Sequence, residues 1–177
     1  SPTTTPAIAP TEIPFVFLSE FLPNPEDDEV EGEFIEIFSQ EEKPVNLTGY
    51  ALDDAEGGSK PYVFPAGTII KPGQYLAFWR AQTKIALNNS NEQVRLIAPD
   101  CQIIDQANFE KSEEGKSFVL DQDFTWQTSD TPTPNQANIL PKTNEASATA
   151  TPTTTEIIIA IPAAATSQET KNKKTPK

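Results

Sequence analysis

Short apolar runs separated by turn-forming clusters constrain this sequence more than any other feature. The runs are four to eight residues long and continue from Phe15 to Thr128 with no helical period. They are Phe15–Phe21, Glu33–Ser39, Val45–Leu52, Pro61–Phe64, Gly67–Ile70, Gln74–Arg80, Lys84–Leu87, Gln93–Ile97, Gln102–Gln106, Ser117–Leu120 and Phe124–Thr128. Most are rich in Val, Ile, Phe, Tyr or Trp, which suit a pleated, half-buried surface. Between them stand Pro23-Asn24-Pro25, Glu56-Gly57-Gly58, Pro65-Ala66-Gly67, Lys71-Pro72-Gly73 and Asn88-Asn89-Ser90-Asn91. These residues supply fixed or positive φ and local side-chain hydrogen bonds. Short strands at such spacing predict an all-β domain, a sandwich or a barrel.

Composition sets the limits of that domain. Residues 1–13 and 141–177 contain no aromatic residue and no Gly, whereas all seven glycines fall between Gly32 and Gly115. Pro2-Thr3-Thr4-Thr5 recurs as Pro152-Thr153-Thr154-Thr155. Pro/Thr tracts favour solvated, extended backbone and bury too little apolar surface to fold alone. The expected organisation is a Pro/Thr-rich linker over 1–13, one domain over 14–140, and a disordered Thr/Ala/Pro/Lys-rich linker over 141–177. The sequence has no Met, so a processed chain or part of a longer one is expected. No stretch reaches the roughly 18 uninterrupted apolar residues that span a bilayer.

The order of the motifs points to a family. Phe17-Leu18-Ser19-Glu20-Phe21-Leu22-Pro23-Asn24-Pro25 is followed by Glu33-Phe34-Ile35-Glu36-Ile37 and Leu47-Thr48-Gly49-Tyr50-Ala51-Leu52-Asp53-Asp54. Phe64-Pro65-Ala66-Gly67-Thr68, Pro72-Gly73-Gln74-Tyr75-Leu76, Leu87-Asn88-Asn89, Val94-Arg95-Leu96 and Ile104-Asp105 come next. Trp126 and Pro132-Thr133-Pro134-Asn135-Gln136-Ala137-Asn138 close the pattern. In this order the chain resembles the lamin tail domain, with Phe34 and Tyr50 where the family carries core Trp and Asn135 where it carries Gly. The resemblance implies an immunoglobulin-like β-sandwich of about nine short strands. With no coiled-coil heptads, no nuclear-localisation cluster beside the domain and no prenylation signal, it is to the bacterial version. That version implies an extracellular or cell-surface, non-enzymatic binding or tethering module. Its partner would be a protein or a cell-envelope component.

Composition also excludes several chemistries. With no His and one Cys, the chain cannot hold a Ser-His-Asp triad, a Cys-His pair or a multi-cysteine metal site. Glu12–Leu140 carries 23 acidic and 8 basic residues, a net −15, which argues against a phosphate-backbone partner. The alternative function, a DNA-tethering accessory domain of a surface nuclease or hydrolase, has that charge against it.

Glu20, Glu33 and Glu36 read as framework glutamates satisfied by polar partners, and Asp53, Asp54 and Asp105 read the same way. Glu26, Asp27, Asp28, Glu29 and Glu31 offer the oxygen chemistry of a Ca²⁺ site, the one cofactor considered. A solvated charged loop is the competing reading. Among Trp79, Trp126, Phe34, Tyr50, Tyr62 and Tyr75, the residue closest to an exposed platform is Trp79, with ordinary packing preferred. Leu140-Pro141-Lys142-Thr143-Asn144 is one residue from a sortase signal and is read as chance. Asn46-Leu47-Thr48 and Asn88-Asn89-Ser90 fit a glycosylation pattern that a bacterial source leaves idle. Cys101 reads as a small, semi-buried side chain.

Overall fold

The structure is a computed structural model and describes residues 13–141. The linkers expected at 1–13 and 141–177 fall outside it apart from Ile13 and Pro141. So do Lys142, Thr143 and Asn144 of the sortase-like string. The described chain forms β1 (Val16–Leu22), α1 (Glu29–Gly32), β2 (Phe34–Ser39), β3 (Val45–Asn46), β4 (Ala51–Asp53), β5 (Tyr62–Val63) and β6 (Ile69–Ile70). It continues through β7 (Tyr75–Trp79), α2 (Arg80–Thr83), β8 (Ser90–Ile97), β9 (Ile103–Lys111), β10 (Ser117–Leu120) and β11 (Trp126–Ser129). No helix among these residues is long and apolar enough to cross a membrane.

The architecture is all-β, as expected, with eleven strands where about nine were expected. A five-stranded antiparallel sheet runs β11-β10-β1-β2-β7 and a four-stranded one runs β5-β4-β8-β9, with β3 and β6 as a separate pair. The two larger sheets enclose one core. Phe21 and Phe118 meet Phe109 at 5.5 and 4.9 Å between ring centroids, and Phe78 stacks on Phe64 at 4.7 Å. Leu18, Ile37, Leu52, Ile70 and Leu96 are fully buried among them. Period-two alternation brings these side chains inward, since alternate residues of a strand share a face.

Several expected elements differ from the sequence reading. Val45–Leu52 is two strands: Gly49 adopts φ +81°, a left-handed turn that glycine takes without strain, and Tyr50 N–H donates back to the Leu47 carbonyl. Lys84–Leu87 is not a strand, although Ile85 and Leu87 are core residues. Its backbone donors leave no ladder: Lys84 N–H closes α2 on the Arg80 carbonyl, and the rest go to side chains, Ile85 N–H to Thr83, Ala86 N–H to Ser59 and Leu87 N–H to Glu33. The strand expected over Gln102–Gln106 continues as β9 to Lys111, paired along β8.

A bulge in β1 decides which of its side chains reach the outer face. The pairing with β2 shifts register between Leu18 and Glu20. Leu18 and Phe21 therefore both enter the core, while Ser19 and Glu20 turn to the outer face of the five-stranded sheet.

Candidate functional site

After β11 the chain turns back and crosses that outer face as a strap, Asp130–Leu140. Two buried glutamates, opposite each other in the β1–β2 register, hold it. Glu20 accepts from the Thr133 N–H at 3.1 Å, the Thr133 hydroxyl at 2.9 Å and the Ser117 hydroxyl. Glu36 accepts from the Asn135 N–H at 2.6 Å and the Ser19 hydroxyl at 2.7 Å. Asn135 Oδ1 accepts the Ala77 N–H of β7, the sheet's edge strand, and Asn138 Nδ2 donates to the Ser19 and Leu120 carbonyls. The Thr133, Asn135 and Asn138 positions of the closing motif are thus the strap's fastenings.

Burial raises the Glu20 carboxyl and pushes Glu36 up to about 7, the neighbouring Glu20 charge adding to the latter. Glu33 is likewise pushed up to about 7 by burial, against the opposing pull of the Leu87 N–H and Arg80. A carboxyl raised in the folded state stabilises fully below its unfolded value and loses that stabilisation as pH rises through its folded value. The melting temperature is therefore expected to fall between about pH 5 and pH 8. A flat or rising profile by calorimetry over that window contradicts this.

The remaining buried carboxylates are also engaged by the framework. Glu92 accepts from the N–H groups of Ala55, Asn88 and Gln93, which hold it below the usual carboxylate range although burial pulls it upward. Asp54 accepts the Ser59 N–H, and Asp53 pairs with Arg95 at 2.6 Å. Asp105 accepts the Leu18 N–H beside the bulge.

The acidic run leads into α1. Asp28 caps that helix by accepting from Val30 and Glu31 N–H, and Glu29 pairs with Arg80 at 2.9 Å. Glu26 packs against Gly115, whose added Cβ would lie 2.7 Å from its side chain. Among the described residues, no group of three or more Cys, Asp or Glu is placed to hold a metal.

The outer face also carries an aromatic strip that the sequence reading missed. Phe124, Phe17, Phe38 and Tyr75 follow one another across the sheet at 5.3, 5.5 and 4.4 Å between centroids. Phe15 joins at 5.3 Å from Phe17. The strip lines a groove of about 470 Å³ whose walls include Ser19, Gln40, Asp121, Gln122 and the strap residues Ala137, Asn138 and Leu140. Phe15 and Phe124 remain 49% and 53% exposed. Phe124 also adopts φ +57°, a left-handed conformation disfavoured for a bulky side chain.

Of the aromatics weighed from sequence, Tyr75 alone belongs to this strip. Phe34 and Tyr50 are buried, and Trp79 packs half-buried on Phe34 at 6.2 Å. The available signal was strand parity, since Phe34, Glu36 and Phe38 must share a face. Cys101 is exposed, contrary to the semi-buried reading, because a turn with φ +70° directs it to solvent.

A two-sheet antiparallel sandwich whose buried carboxylates serve its own backbone defines an immunoglobulin-like binding or structural module. The model of the lamin tail domain family matches residues 10–111, more than half the chain, and the chain belongs to that family. The match ends before β10, β11 and the strap. No curated protein matches the chain.

Proposed function

We propose that this chain is a non-enzymatic binding and tethering module. It holds a protein or cell-envelope component at the outer-face groove, within a bacterial multidomain protein at the cell surface or outside the cell. The observation that carries this reading is the aromatic strip. Phe15 and Phe124, 49% and 53% exposed, leave apolar surface in solvent at one end of the strip beside the groove, and exposed apolar patches of this kind mark interaction sites. A catalytic reading finds little support. Glu20 and Glu36 face hydroxyl and backbone donors beneath the strap, and the sequence has no His to act as a base. A DNA tether is disfavoured as well, since residues 13–141 carry 22 carboxylates against 8 cations and no Lys or Arg lines the groove.

The test is retention of cell-envelope fractions on the immobilised full chain, compared with Phe124→Asn. Asn accepts a left-handed backbone, so the ring is removed without straining the turn. Retention is expected for the wild type and its loss for the variant; equal retention overturns the assignment of this face. Saturable micromolar binding of duplex DNA at about 0.15 M salt would replace the reading with the DNA tether.

The flanks act as linkers in this account. Deleting residues 142–177 is expected to move the melting temperature by no more than a few degrees, and a larger fall would contradict that role. Glu26–Glu31 serves as a solvated acidic segment running into α1, so Ca²⁺ is expected to leave the melting temperature unchanged. A rise abolished by Asp27→Asn together with Asp28→Asn would restore the calcium site.

A further inference from the structure

We propose that the outer-face groove binds a neutral polysaccharide laid across Phe124, Phe17, Phe38 and Tyr75. The proposal rests on the reading of this face as the binding face and names the chemical class of its ligand.

Four properties of the groove select that class. The first is geometry: rings whose centroids lie 4.4–5.5 Å apart, with planes inclined by 38–62° to the next, make a continuous but stepped apolar floor. A cage for a quaternary ammonium needs its rings spread around a cation about 6 Å from each centroid, and Phe38 packed on Tyr75 at 4.4 Å leaves no such gap. A stepped floor suits a chain of units that can each rest on one ring. A pyranose presents C–H bonds from its face to the electron-rich face of an aromatic ring and projects hydroxyls from its rim.

The second property is the polar wall. Ser19, Gln40, Gln122 and Asn138 flank the strip, with Gln40 and Gln122 exposed. Asn138 is fixed in orientation by its two donated bonds and shapes the wall, leaving the exposed amides of Gln40 and Gln122 to meet a ligand. A few directional groups beside an apolar floor, in a volume of about 470 Å³, match a small-molecule or oligosaccharide cleft.

Charge is the third. Among the described residues, no cation lines this groove or the adjoining one that shares Phe17, Leu120 and Phe124, and Asp121 and Asp105 contribute carboxylates. A phosphate, a nucleic acid or an acidic glycan would enter a negative field unpaired.

The fourth property argues against an apolar peptide strand. Such a strand needs ladder partners for its backbone. At the β7 edge beside the strip, the Ala77 N–H is already taken by Asn135 Oδ1. A glycan has no backbone ladder to complete.

The experiment is affinity gel electrophoresis of the full chain through hydroxyethylcellulose, glycol chitin, laminarin, mannan and amylose. It is followed by calorimetric titration with the hexasaccharide of whichever polysaccharide retards the protein. At least one is expected to retard it, with affinity reduced at least tenfold by Phe124→Asn at unchanged melting temperature. Gln122→Ala, at an exposed position, is a second variant expected to weaken binding with the fold intact. Mobility unaffected by all five polysaccharides overturns the ligand class, as does retardation that Phe124→Asn leaves unchanged. If envelope retention nevertheless depends on Phe124, the face remains the binding face with another ligand. If neither depends on it, both readings fall.

Discussion

Replacing Glu20 with Ala is expected to lower the unfolding free energy by about 3–5 kcal/mol. The side chain is fully buried and satisfies three donors: the Ser117 hydroxyl and the Thr133 hydroxyl and N–H. Each would lose its partner in a space closed to water, at about 1–3 kcal/mol for an unsatisfied buried group, with some relief from local relaxation. The effect should also spread along the strap, because Thr133 is one of the points that fix Ala137 and Asn138 as a groove wall. Removing the Glu20 charge takes away one of the influences raising Glu36, so the loss of stability between about pH 5 and 8 should become shallower. Urea denaturation at two pH values reads both effects. A change below about 1 kcal/mol would mean that the glutamate does not hold the strap.

The second large effect is expected at the pair Asp53 and Arg95, which face each other across β4 and β8. Their side chains are only 8% and 12% exposed, and Asp53 Oδ1 and Arg95 Nε have no partner among the described residues. Asp53→Ala should destabilise by about 3–5 kcal/mol, since it leaves the guanidinium in low dielectric with no counter-charge. The pair as a whole is a different matter. Attraction at 2.6 Å is set against the desolvation of two ions, one oxygen and one nitrogen of which are left unsatisfied. Asp53→Leu combined with Arg95→Met should therefore be close to neutral or more stable than the wild type. A double-mutant cycle separates the terms, and a combined loss equal to the sum of the single losses would contradict this account.

The framework was legible in the sequence because sandwich strands announce themselves by apolar content and their turns by Gly, Pro and Asn. Phe34 and Tyr50 were assigned to the core and both are buried, Tyr50 between the sheets and Phe34 in a second cluster with Leu22, Ala77 and Trp79, and Glu20 and Glu36 were expected to find polar partners, which they do. The identity of those partners was not legible. Thr133 lies 113 residues from Glu20, and Asn135 lies 99 from Glu36, so no local pattern connects them. The composition of the outer face was obscured by the β1 bulge. Strict alternation from Phe17 would put Ser19 on its face and Glu20 on the other, whereas the shift at Leu18/Glu20 turns both outward. Phe124 read as the start of a strand, yet it lies in a turn closed by Asp121, whose carboxylate accepts the Asp123 and Thr125 N–H groups. Lys84–Leu87 was misread for a related reason: its apolar residues are core residues, but their backbone donors go to Thr83, Ser59 and Glu33 rather than to a ladder.

The central claim is that the aromatic strip on the outer sheet face is where this module meets its partner. The most direct measurement is a backbone amide map of the isotope-labelled protein titrated with solubilised cell-envelope fragments. Perturbations are predicted to gather at Phe17, Phe38, Tyr75, Phe124 and Asn138 as binding saturates. Saturable binding with perturbations confined to the four-stranded sheet or to Glu26–Glu31, and the strip unmoved, would contradict the account.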